Sequence, residues 1–217
     1  MPAIPTTAPN GILRLMSPRF VYLASASPRR RELLRQIGVP FRLIAGEVDE
    51  GRLQDEVPET YVSRLAAAKA LAGWQFGGRE AADAPVLAAD TAVVFDGRIL
   101  GKPLDRNDAE HMLCRLSART HEVLTAVALR SHAGLETRVS RSLVTFRSID
   151  AAEARAYWET GEPCDKAGGY AIQGHAAVFV AHLVGSYSGV MGLPLFETAE
   201  LLKLAGLPYW QTHAGSP

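Results

Sequence analysis

In the run Val86-Leu87-Ala88-Ala89-Asp90-Thr91-Ala92-Val93-Val94-Phe95, one carboxylate stands between apolar residues on both sides. A strand this apolar is expected to be buried, and an unpaired ionised carboxylate there is expensive. Asp90 is therefore expected to be paired, metal-bound or raised in pKa. Each of these points to catalysis or metal binding, because perturbed carboxylates gather at functional sites. A structural Asp bonded to a neighbouring loop is the plainer alternative. A second cluster lies upstream in Leu23-Ala24-Ser25-Ala26-Ser27-Pro28-Arg29-Arg30-Arg31-Glu32-Leu33-Leu34. Three arginines fall in the first turn of a Pro-started helix, where unpaired N–H groups and the positive end of the helix dipole already repel cations. Hydroxyls from Ser25 and Ser27, free N–H groups and the guanidinium forks of Arg29 and Arg30 would together suit phosphate. An ordinary Ser-capped helix with solvated arginines is the alternative.

Three lysines sit in unusual surroundings. Lys69 lies in Leu65-Ala66-Ala67-Ala68-Lys69-Ala70-Leu71, Lys102 in the stiff turn Gly101-Lys102-Pro103, and Lys166 just before Ala167-Gly168-Gly169-Tyr170. Each alone reads as a snorkelling surface lysine; with Arg29 and Arg30 they could form a cationic cradle for a triphosphate. The acidic turn Glu47-Val48-Asp49-Glu50 is a natural partner for a divalent metal bridging phosphates, since hard cations take carboxylate oxygens. As bare sequence it serves equally as a solvated turn. The six histidines form no ligand spacing, and no Walker A loop, GxSxG elbow or GxGxxG fingerprint occurs.

The elements that must position these residues alternate through the first half. A strand over Phe20–Ala24 leads to a helix from about Pro28 to Ile37 that Gly38 ends. A short strand over Phe41–Ile44 precedes the acidic turn. A helix from about Pro58 to Ala72 is expected to bury Tyr61, Leu65 and Ala68. The apolar strand Pro85–Phe95 meets Asp96-Gly97, a strong hairpin signal, with Arg98–Leu100 returning. A helix over Asp105–Leu116 carries Ala109, Met112, Leu113 and Leu116 at helical spacing, and Cys114 among them is expected to be a buried small hydrophobe. Strands over His121–Leu129 and Thr137–Phe146 are expected to pair antiparallel. A helix over Asp150–Thr160, a strand over Val178–Leu183 and a helix over Pro194–Leu204 complete the chain. The expected fold is α/β, a mixed twisted sheet with flanking helices, as one domain or two lobes around a cleft.

The 217 residues are 47% hydrophobic and 21% charged, with 23 cationic and 23 acidic side chains. Zero net charge argues against nonspecific nucleic-acid binding. The longest apolar stretch, Ala176 to Val184, is too short to span a membrane. Cys114 and Cys164 match no metal or disulfide pattern. Residues 1–19 read as a flexible extension rather than a secretory signal, residues 20–207 as the folded domain and 208–217 as a tail, and the default location is cytoplasmic.

Ser25-Ala26-Ser27-Pro28-Arg29-Arg30, the acidic turn ending in Glu50, Lys69, Ala89-Asp90-Thr91, Gly101-Lys102-Pro103 and Gly189-Val190-Met191-Gly192-Leu193-Pro194 occur in the order of the Maf (septum formation) family of nucleoside triphosphate pyrophosphatases, which the chain resembles from about Phe20 to Leu204. The resemblance implies a two-lobed fold like that of the inosine triphosphate pyrophosphatases. It implies hydrolysis of a nucleoside triphosphate to the monophosphate and pyrophosphate with a divalent cation, Mg2+ or Mn2+. In those terms Asp90 is the proton acceptor, Glu50, Lys69 and Lys102 complete the catalytic set, and Glu50 and Asp90 are the metal-facing carboxylates. Ser25, Ser27, Arg29 and Arg30 line the phosphate and sugar end, and Lys166 adds to the substrate-binding cations. Whether Asp90 deprotonates water or holds the metal stays open. The segment Asp165-Lys166-Ala167-Gly168-Gly169-Tyr170-Ala171-Ile172-Gln173-Gly174 resembles the branch acting on dTTP and UTP, in which Arg29, Thr91 and Gln173 would set specificity. A glutamine amide complements the N3–H and O4 edge of uracil or thymine. House-cleaning of nucleotide pools, a link to cell division and a homodimer are compatible with the resemblance. The sister branch acting on 7-methyl-GTP and a non-catalytic regulator of septum formation are the competing readings.

Overall fold

The computed structural model describes residues 20–81 and 84–210; the proposed N-terminal extension and the last seven residues of the tail lie outside them. The chain forms strands β1 (Val21–Leu23), β2 (Phe41–Leu43), β3 (Val86–Phe95), β4 (Arg98–Leu100), β5 (Thr120–Ser131), β6 (Gly134–Phe146) and β7 (Val180–Val184). Helices are α1 (Pro28–Gln36), α2 (Pro58–Ala81), α3 (Arg106–Leu116), α4 (Ala151–Glu159), α5 (Tyr187–Met191) and α6 (Leu195–Leu204), with short 3-10 turns at Glu162–Asp165, Ala167–Gly169 and His175–Phe179. The seven strands make one mixed sheet in the order β2-β1-β3-β5-β6-β7, with β4 also on β3. β1 runs parallel to β2 and β3, and the remaining pairs are antiparallel. The hairpin at Asp96-Gly97 has φ of 49° and 71°, the left-handed pair that a two-residue turn requires.

Side chains alternate across the sheet, so β3 sends Val86, Ala88, Ala92 and Val94 to one face and Leu87, Ala89, Val93 and Phe95 to the other. The first set packs under α2 against Val62, Ala66 and Ala70. Alanines on both sides bring this helix close to the sheet. The second set divides between α1 and α6, through Leu33, Leu34, Leu201 and Leu202, and α3 and α4, through Leu113, Leu116, Ala154 and Tyr157. The result is three layers, helix–sheet–helices.

Four sequence expectations are corrected. Cys114 is exposed: α3 buries Ala109, Met112, Leu113 and Leu116, and one residue past Leu113 turns Cys114 about 100° away from that stripe. On α2 the buried stripe is Val62, Leu65, Ala66 and Ala70, with Tyr61 and Ala68 only half-buried. That helix also runs on to Ala81, and a five-residue helix, α5, stands where no helix was expected.

Candidate active site

β3 is longer than its neighbour β1. β5 pairs it continuously from Val86 to Val94. On its other edge, β1 pairs only Val86 and Leu87, and β4 takes over at Val93. Between them the edge of β3 opens beside Asp90 and Thr91, just past the carboxyl end of β1, where ligands of parallel sheets bind. Ser25 and Ser27 occupy the turn that leaves β1, and α1 starts immediately after them. Ser27 stands at the N-cap but makes no side-chain cap bond, Pro28 follows, and no acidic residue lies in the first turn. The start of this helix is thus not closed by its own side chains, the arrangement in which helix starts can take anions.

Alternation sends Asp90 and Thr91 to opposite faces. Asp90, 8% exposed, faces α2, where Lys69 reaches it: the Lys69 ammonium lies 2.6 Å from Asp90 Oδ1 and 2.6 Å from Glu50 Oε1. Glu50 arrives on the loop after β2. That loop passes so close to the end of β1 that a Cβ on Gly46 would lie 2.7 Å from Ala24 Cβ, so only glycine fits there. Burial pushes the Asp90 carboxyl above the usual aspartate range; Lys69, and then Arg30, pull it partway back. The hydrogen bond from Lys69 holds Glu50 below its usual value. One ammonium therefore serves two carboxylates of different character, one buried and basic, one half-exposed and acidic.

The Glu50 loop has its own clamp, which the sequence did not announce. Arg64 on α2 donates to both Glu56 carboxylate oxygens, at 2.6 and 2.8 Å, and to the Gly51 carbonyl at 2.9 Å. Glu56 also accepts from Leu53 N at 3.1 Å. The hydrogen bond from Arg64 holds the Glu56 carboxyl down at about 2. The Tyr61 hydroxyl donates to the Glu50 carbonyl at 3.1 Å.

On the other face Arg30 is the hub. It donates from Nε to the Gly192 carbonyl at 2.7 Å, from one terminal nitrogen to Ser25 Oγ at 3.1 Å, and from the other to Thr91 Oγ1 at 3.4 Å. Thr125 stands directly across from Thr91 in the β3–β5 ladder, with its Oγ1 2.7 Å from the Gly189 carbonyl and 2.9 Å from Thr91 Oγ1. A carbonyl can only accept, so the single Thr125 proton goes to Gly189 and Thr91 donates to Thr125. This chain ties β3 and β5 to α5 and fixes Arg30. Thr125→Val keeps the shape but leaves buried polar groups unpaired, costing about 1–2 kcal/mol. A lowered thermal midpoint of roughly 2–8 °C is the expected reading in a denaturation scan.

The structure thus brings Ser25, Arg30, Glu50, Lys69, Asp90 and Thr91 into one cluster. Lys102 is exposed but near enough to lower the Glu50 pKa, and its turn is tied to the segment after Lys166 by Gly168 N donating to the Gly101 carbonyl at 2.9 Å. Arg29 acts on both Arg30 and Asp165 through its charge. Lys166 bonds its neighbour Asp165, Ser27 donates its N–H to Ser25 Oγ at 3.2 Å, and Gln173 is exposed on its own segment. Thr125, Glu56 and Arg64 were missed by sequence reasoning. A Thr inside the apolar run Val123–Leu129 was the available signal for the first; Glu56 and Arg64 carried none. Among the described residues no group of three His, Cys, Asp or Glu side chains could hold a metal. Glu50 and Asp90, two carboxylates converging on one ammonium, have the donor chemistry for Mg2+ or Mn2+, which takes one or two carboxylates and completes its shell with water and substrate phosphates. No helix among the described residues is long and apolar enough to cross a membrane.

Residues 20–205 match the family described as Maf-like protein. A protein of Alkalilimnicola ehrlichii named dTTP/UTP pyrophosphatase is 55% identical over 199 residues, covering 89% of this chain and 98% of that protein. Proteins of the same name from Saccharophagus degradans and Aromatoleum aromaticum are each 52% identical, over 194 and 198 residues. They cover 89% and 87% of this chain and 92% and 96% of their own lengths. With the match running from β1 to the end of α6 and taking in every residue of the cluster, this chain belongs to the Maf family.

Proposed function

We propose that the protein hydrolyses dTTP and UTP to the nucleoside monophosphate and pyrophosphate, acting on cytoplasmic nucleotide pools. The observation that carries the reading is Asp90, a buried carboxylate made basic by its surroundings, placed beside an uncapped, arginine-rich helix start. The shared name of the relatives supplies the substrate class.

Water attacks the α-phosphorus and gives its proton to Asp90. The new oxygen–phosphorus bond forms as the bond from the α-phosphorus to the bridging oxygen breaks, and pyrophosphate leaves with that electron pair. Lys69 keeps Asp90 charged and aimed. Arg30, fixed by Ser25, Thr91 and Gly192, and Lys102 face the charge that grows on the transferring phosphoryl and the leaving group; such preorganised stabilisation is usually the largest catalytic contribution. Thr91 acts through Arg30, while Arg29 and Lys166 extend the cationic lining and Gln173 reads the pyrimidine edge. A divalent cation held by Glu50, with Asp90 facing it, would supply further neutralisation of the phosphates when bound.

Pyrophosphate release from dTTP, UTP, CTP, GTP and 7-methyl-GTP, with Mg2+ or Mn2+, tests this directly. The expected result is preference for dTTP and UTP. Preference for 7-methyl-GTP would overturn the substrate assignment, and binding without turnover of any nucleotide would overturn the hydrolytic one.

A further inference from the structure

The exposed Gln173 sits on a Gly-rich segment whose flanking Ala171, Ile172 and Ala176 are buried, which leaves its tip, residues 173–175, to be held by polar contacts. Tyr157 and Glu162 hold both of its ends. The Tyr157 hydroxyl donates to Glu162 Oε1 at 2.7 Å and accepts from Ala171 N at 3.3 Å. Glu162 in turn accepts from His175 N at 2.9 Å and Ala176 N at 3.2 Å. Gly174 N closes the turn on the Ala171 carbonyl at 3.0 Å. Tyr157 is tied to the core: it is 4% exposed and packs edge-on against Phe179 with ring centroids 5.4 Å apart. Glu162 follows the left-handed Gly161 that ends α4.

Gly174 makes the clamp possible. A Cβ there would lie 1.9 Å from Glu162 Oε2, although its φ of −107° is ordinary, so the requirement is space rather than backbone freedom. Burial works to raise the Glu162 pKa, but the bonds from Tyr157 and the two backbone N–H groups outweigh it, and the group is held ionised. A charged acceptor with three donors is a stronger clamp than neutral bonds would make.

We propose that Glu162, braced by Tyr157, is a positioning residue for base selection, holding residues 171–176 so that Gln173 meets the pyrimidine in one orientation. The proposal rests on the assignment of Gln173 as the base-reading residue. Preorganisation of this kind saves the ordering cost of an exposed loop tip on binding, and here only the base end of the substrate feels it.

The test compares kcat/KM for UTP and GTP in the wild type, Gln173→Ala, Glu162→Gln and Tyr157→Phe, with thermal midpoints beside them. Glu162→Gln sets an amide N–H against a backbone N–H; Tyr157→Phe removes the donor to Glu162 and the acceptor for Ala171 N and keeps the packing, so it carries the test should the first variant fold poorly. The expected result is an about tenfold fall in the UTP-to-GTP ratio, the loss typical of one good hydrogen bond, in Gln173→Ala and in the clamp variants, with no further fall when Gln173→Ala is added to them. An equal loss for both nucleotides in the clamp variants would show a merely structural role and overturn the proposal. A ratio that collapses in Gln173→Ala but not in the clamp variants overturns the proposal and leaves Gln173 as the base reader. A ratio unmoved by Gln173→Ala overturns the base-reading assignment, and the positioning role with it.

Discussion

Asp90→Asn is expected to lower kcat for dTTP and UTP by roughly two to four orders of magnitude, the contribution of a positioned general base, while nucleotide binding survives. The amide has the carboxylate's shape but cannot take a proton from water, and no change of pH restores it. The same substitution is not expected to lower stability. Burial holds Asp90 above its ordinary pKa, which means that the folded protein disfavours the charge relative to the unfolded chain. At neutral pH that is a standing cost, and Asn removes it. Lys69 keeps a partner in Glu50, 2.6 Å away. The thermal midpoint should therefore hold or rise as activity is lost, the pattern of a site whose chemistry is bought with stability. Pyrophosphate release and a thermal scan on one preparation decide it; activity within tenfold of wild type would remove Asp90 from the role of base.

Lys69→Met is expected to act through Asp90 and to leave a signature in pH. Lys69 is the largest of the influences that pull the Asp90 pKa down, while burial and Glu50 push it up. Without the ammonium the carboxyl titrates higher still, so the acid limb of kcat/KM moves to higher pH and part of the lost activity returns in alkaline buffer. Asp90→Asn has no such recovery, and the contrast separates loss of the base from loss of its charge partner. Stability follows the same logic. Leaving a buried charge without its partner costs about 3–5 kcal/mol, capped here because Asp90 can take a proton instead. A group raised on folding contributes stability below its unfolded pKa and loses it as pH rises through the folded one. The deficit of Lys69→Met should thus be smaller at pH 5 than at pH 8. Glu50, lowered by Lys69 in the wild type, works in the opposite sense: its stabilisation is present above the ordinary glutamate value and is lost as pH falls through the depressed one. An equal deficit at both pH values, with an unmoved acid limb, would detach Lys69 from Asp90.

Local pattern determined much of this protein from the sequence alone. The period of Ala109, Met112, Leu113 and Leu116 makes α3, Asp96-Gly97 makes the β3–β4 turn, and the apolar flanks of Asp90 bury it, because helices, tight turns and buried strands are each specified within a few neighbouring residues. The misfit of three arginines at a helix start was equally legible, as it is a conflict between adjacent groups. Which groups meet across the fold was decided only by tertiary structure. Lys69 finds Asp90 from 21 residues away, Arg30 finds Thr91 from 61 and Gly192 from 162. The opening on β3 exists because β1 stops short and β4 starts late, a matter of register between strands far apart in the chain. The Arg64–Glu56 and Tyr157–Glu162 clamps are likewise invisible locally, since a surface-type Glu reads the same whether it is solvated or holds a loop. Even Cys114 shows the limit: composition made it hydrophobic, and the rotation of α3 against its neighbours left it in solvent. Periodicity reports how much of a face is buried; only packing chooses the partner on the other side.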